Sequence, residues 1–197
     1  YIGVDTGINT TSGAKNIGIG YLASKYQTTG ADNIAIGTQA GLDTTSGEQN
    51  IAVGYHAGMQ NATGDRNITM GSGAGELIGT NRDDVVLIGT YAGQHNNANS
   101  TIAIGAYAGQ MNTDAPGNIL IGPDAGRVTQ LSENNIMIGR QAGASYAGLT
   151  SAGDNIFIGD HVAGDLTDGQ QNIAIGANCI ASASNVASTI AIGYTAG

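Results

Sequence analysis

The chain has 197 residues, a net charge of −9 and only 11% charged residues, with 33 glycines, two prolines and no tryptophan. So few charges exclude a charged-surface helical domain, and the 41% apolar content excludes a disordered polar chain. The acidic balance repels phosphate backbones and anionic lipid, no stretch approaches about 18 consecutive apolar residues, and the single cysteine, Cys179, allows no disulfide within the chain.

One short element then recurs along the chain. The first complete copy is Ile17-Gly18-Ile19 before Gly20, and the next are Ile34-Ala35-Ile36 before Gly37 and Ile51-Ala52-Val53 before Gly54. Ile68-Thr69-Met70 before Gly71, Val86-Leu87-Ile88 before Gly89 and Ile102-Ala103-Ile104 before Gly105 follow. The series continues with Ile119-Leu120-Ile121, Ile136-Met137-Ile138, Ile156-Phe157-Ile158, Ile173-Ala174-Ile175 and Ile190-Ala191-Ile192. With Ile2-Gly3 there are twelve glycine anchors, and eight of the eleven spacings between them are 17 residues; the others are 18, 16 and 20. β-branched apolar residues at spacing two predict a short strand, and a glycine in every copy argues against helix.

A 17-residue unit with one short strand and no hairpin turn fits one coil of a solenoid. The expected fold is all-β: a parallel β-solenoid, or β-roll, of about twelve coils. With strands ~4.8 Å apart it would be roughly 55 Å long. The whole chain, 1–197, reads as a single repetitive segment. The pattern runs through both termini, so it reads as a window cut from a longer fibre protein.

Other positions of the repeat carry their own chemistry. Four residues before the anchor stands Asn16, Asn33, Asn50, Asn67, Asn118, Asn135, Asn155 or Asn172, predicting an amide ladder from coil to coil. Three residues after it lies an alanine, such as Ala40 or Ala57, which predicts a tight inside corner. The glycine that follows, Gly41 or Gly58 for example, is expected at positive φ. Turn residues such as Thr44-Thr45-Ser46-Gly47 fill the rest of the coil, and the longest loop, 144–154, is a candidate lateral binding site.

The isoleucine pair is expected to fill the coil's own narrow core. The residue between the pair then points the other way. That row is Gly18, Ala35, Ala52, Leu87, Ala103, Leu120, Met137, Phe157, Ala174 and Ala191, with Thr69 the one polar exception. An apolar outer row needs a second layer, so these residues are expected at a homotrimer interface, where small side chains suit the close approach to a three-fold axis.

The unit Asn-Ile-Ala-Ile-Gly-x-x-Ala-Gly, followed by Thr-Thr-x-Gly turns, resembles two groups: the head repeat of trimeric autotransporter adhesins and the repeat arrays of phage tail-fibre proteins. The resemblance covers essentially the whole chain. The 17-residue spacing is closer to the phage type, because adhesin head repeats are shorter and richer in Ser and Val. It implies an extracellular or virion location, homotrimeric assembly and a role in host attachment through a glycan or protein receptor. It carries over no catalytic residue and no cofactor, so no enzyme is expected.

Individual residues give weak signals. Cys179 takes the alanine position and reads as a small buried thiol. His56 and His161 share a variable position two after the anchor, which reads as solvent-facing. Asp83-Asp84 reads as a solvated turn rather than a calcium loop, and no metal site is expected. Tyr21, Tyr55, Tyr91, Tyr107 and Tyr194 cluster after the anchors as surface aromatics, suited to packing between coils or to stacking on sugar rings. A glycan- or ice-binding solenoid is the alternative to a fibre, although the Thr rows that ice binding needs break after the early coils.

Overall fold

Each Ile-x-Ile copy forms a three-residue strand, because β-branched side chains favour extended backbone and the glycine that follows turns the chain away. The computed structural model describes residues 1–129, 132–144, 153–164, 169–180 and 187–197. The strands are β1 (Ile17–Ile19), β2 (Ile34–Ile36), β3 (Ile51–Val53), β4 (Ile68–Met70), β5 (Val86–Ile88) and β6 (Ile102–Ile104). They continue as β7 (Ile119–Ile121), β8 (Ile136–Ile138), β9 (Ile156–Ile158), β10 (Ile173–Ile175) and β11 (Ile190–Ile192). Among the described residues they lie in chain order in one eleven-stranded sheet, every neighbouring pair parallel. The copy at Ile2 joins through a bridge to Ile19. This is the expected parallel β-solenoid.

Register is kept wherever the repeat length changes. Ile68 pairs with Val86 across a spacing of 18, Val86 with Ile102 across 16, and Ile136 with Ile156 across 20. Extra and missing residues are absorbed outside the strands, since a one-residue slip would turn every side chain to the other face.

Backbone bonds bind coil to coil well beyond the strands. Within one coil, the Gly37 and Gln39 amides donate back to Ile19 and Tyr21 at 2.8 Å. Gly41, Asp43 and Thr45 donate forward to Ala57, Met59 and Ala62 at 2.8–2.9 Å, and Gln49 donates back to Ala31 at 3.0 Å. This alternation needs unusual backbone. Gly41 has φ +55 and lies 3.4 Å, measured from the Cβ it lacks, from the Ala35 methyl. The anchor is stricter: Gly54 has φ +134, and a Cβ there would sit 2.6 Å from the Gly71 carbonyl oxygen of the next coil. The anchor is glycine in every copy because two backbones touch at that point.

The coil interior is the reverse of the sequence expectation. The middle residue of each strand points inward. Ala103, Leu120, Met137, Phe157 and Ala174 are completely buried, and Gly18, Ala35, Ala52, Leu87 and Ala191 are buried with them. Across the coil they meet the alanine row, including Ala40, Ala57, Ala92 and Ala125, each with no exposed surface. The ten residues expected at a trimer interface therefore form each chain's own core and cannot meet another chain. The isoleucine pairs face outward instead. The core cluster over the first coils, Ala23 to Ala57, is all alanine, and from Ile78 onward larger side chains such as Leu87, Leu120, Met137 and Phe157 join the alanines.

Asparagine closes the interior beside the strands. Asn50 Oδ1 accepts the backbone N–H of Asn67, and its Nδ2 donates to the Gly64 carbonyl, at 2.9 and 2.8 Å. Asn33 does the same to Asn50 and Gly47, both at 2.8 Å. These two asparagines thus clip the Gly-x-x-Asn turn of the following coil, and Asn67 does the same to Arg82 and Val85. An amide-to-amide step of the kind expected also occurs, from Asn155 Nδ2 to Asn135 Oδ1 at 3.0 Å, but in the recurring bond a backbone N–H donates to the asparagine Oδ1 of the coil before, as Asn155 does to Asn135.

Candidate functional surface

The outward side of the sheet carries two side-chain rows, one on each side of the buried middle residue. All members are isoleucine except Val53, Met70 and Val86, and none is buried. Ile17, Ile36 and Met70 are 47%, 37% and 40% exposed. The rows follow directly from strand pairing: equivalent residues stack in register, so chemistry repeated every coil becomes a continuous stripe. The stripe carries no charge and no hydrogen-bonding side chain, so its chemistry is association by apolar burial.

A second surface begins after the anchor glycines. Tyr21, Tyr55 and Tyr194 are more than half exposed. Tyr91 and Tyr107 take the next position and are only partly exposed. Their rings stack with centroids 5.6 Å apart, and the Arg127 guanidinium lies 5.4 Å from the Tyr107 centroid. The five tyrosines grouped by sequence therefore fall in two positions and make no single row. Beside them a polar side-chain ladder crosses successive coils. His56 Nδ1 meets Glu76 Oε1 at 3.0 Å and Gln94 donates to Glu76 Oε2 at 2.8 Å. Gln110 then donates to Gln94 at 3.0 Å, and Arg127 to Gln110 at 3.1 Å. Burial raises the Glu76 carboxyl, but hydrogen bonds from Gln94 and His56 and the fields of His56 and His95 outweigh it and hold it below the usual glutamate range. Sequence reasoning missed this ladder; the signal was Glu76, Gln94, Gln110 and Arg127 sharing the position five after the anchor.

His56 is not solvent-facing as expected. Its side chain is 18% exposed, stacked on the Tyr55 ring at 3.8 Å. Cys179 is buried, as read from the sequence. Asp84 is held by Arg66 at 2.7 and 3.1 Å, which lowers its carboxyl, and Asp83 accepts the Asp65 N–H at 2.8 Å. Among the described residues no group of three or more His, Cys, Asp or Glu could hold a metal ion, and no helix is long and apolar enough to cross a membrane. The proposed lateral site in the 144–154 loop falls mostly outside the described residues.

Comparison of the chain with protein-family models, curated proteins and solved structures finds no match in any of the three.

Proposed function

We propose that this chain is a rod segment of an extracellular fibre, the shaft or head of a phage tail fibre engaged in host attachment, acting as a bundle of three identical chains. An adhesin head on a bacterial surface is the neighbouring form of the same reading. The observation that carries it is the in-register sheet of eleven parallel strands, with backbone bonding from coil to coil around the circumference. Such a molecule grows in length by adding coils and keeps its cross-section, which suits a spacer that holds something away from a surface. The reading assigns no catalytic step, cofactor or metal. Its receptor would be a glycan or a protein on the host surface.

Immunogold labelling with antibody against the chain tests this. Gold along slender fibres projecting from a virion or a cell surface is the expected result. Label confined to the cell interior would sink the proposal. Adsorption of the fluorescent chain to host cells then separates a receptor-binding head, which adsorbs, from a shaft, which does not.

A further inference from the structure

We infer that the two outward isoleucine rows are the surface through which the chain associates with identical copies of itself. This rests on the self-association part of the reading above, and it puts the contact on the opposite side of the strand from the middle-residue row.

Three observations converge on a second copy as the occupant. The first is area. Eleven strands at ~4.8 Å spacing and three residues at ~3.3 Å give a stripe roughly 53 Å by 10 Å, a footprint of about 500 Å² on each copy. That lies in the upper part of the ~300–600 Å² range of the largest apolar patch on ordinary monomers. Two such faces together bury about 1,000 Å², the lower bound of a specific interface. The second is charge. The chain carries −9 overall, so copies repel one another over most of their surface, and the stripe is a charge-free face on which they can meet. The same neutrality gives basic or acidic partners nothing to pair with. The third is periodicity. The stripe repeats isoleucine in register from coil to coil, broken only by Val53, Met70 and Val86, and another copy's stripe matches that repeat along its length. Branched methyls of one copy fill the gaps between ranks of the other.

The central strand β6 gives a geometrical handle. It is the sixth of eleven ranks, so in a full-length contact it faces the partner's β6 whether the rods run parallel or antiparallel.

Light scattering coupled to size exclusion on the full chain is the test, with far-UV circular dichroism as the control for folding. The native chain should elute at a multiple of its 19.6 kDa mass. Replacing Ile102, Ile104, Ile119 and Ile121 by Thr keeps β-branching while adding hydroxyls to the stripe. That variant should fall to one chain mass with its dichroism unchanged. If it does not fold, the double variant Ile102→Cys/Ile104→Cys in a Cys179→Ala background decides. It should form an inter-chain disulfide on mild oxidation. A native chain of one mass overturns both this inference and the bundle. A native oligomer whose Thr variant keeps its mass, or whose cysteine variant stays uncrosslinked, overturns this face alone. A native dimer that the Thr variant dissociates supports the face and contradicts the three-chain count.

Discussion

Asn50 shows how much one side chain holds between coils. It accepts from Asn67 and donates to Gly64 in the next coil, and it is almost completely buried. Replacing it by Ala orphans the buried Asn67 N–H and leaves the Gly64 carbonyl only the 3.3 Å bond from Asn61 Nδ2, and the expected loss is about 1–3 kcal/mol in denaturant unfolding. Asn50→Asp keeps the acceptor but turns a buried negative oxygen toward the Gly64 carbonyl, so it should be worse than Ala. A loss under about 0.5 kcal/mol for both would mean that the clip does not stabilise the stack. Gly54→Ala puts a Cβ against the Gly71 oxygen at φ +134, and a destabilisation of about 3 kcal/mol or more is expected. Glu76 gives a pH signature. Its folded-state pKa is depressed, so it adds stability above the unfolded value of about 4.3, and that stability is lost as pH falls through the folded value. The Tm of Glu76→Gln should lie below that of the native chain at neutral pH, and the gap should close as pH falls through the folded value. A gap that stays constant with pH would contradict the assignment.

At the scale of the strand, orientation is the physical question, and Phe157 answers it. It is completely buried within its own chain, between Met137 and Ala174 in adjacent strands. Phe157→Ala should therefore open a cavity and cost about 3–5 kcal/mol. Unfolding of the isolated chain checks this; an unchanged midpoint would put the ring outside. The strands and their register were legible in the sequence because Ile-x-Ile-Gly recurs near every 17 residues. The sides of the strand were not, because both are apolar and the rule of polar out, apolar in has nothing to separate. The deciding signal was the asparagine. Asn33 stands two residues before Ala35, so the two side chains share a face, and a buried asparagine ladder places the middle row inside with it. Its variable size, from Gly18 to Phe157, fits an interior position facing a fixed alanine row. The position of His56 was illegible for another reason: a residue two after the anchor varies in chemistry while its αL backbone, φ +56, stays fixed.

At the scale of the whole molecule, each strand among the described residues contacts only the strands before and after it, so stability accumulates coil by coil. Amide hydrogen exchange should be slowest over the central coils, where both neighbours are present. Uniform exchange along the chain would contradict nearest-neighbour coupling. What one chain leaves uncovered is its isoleucine face, which points outward while the middle row points inward. Thiol reactivity of Ala103→Cys and Ile104→Cys, each in a Cys179→Ala background, tests this most directly. The Ala103→Cys thiol should resist a soluble thiol reagent until the chain unfolds, and the Ile104→Cys thiol should be labelled or bridge two chains. Rapid labelling or cross-linking at 103, with 104 protected within a single chain, would contradict it.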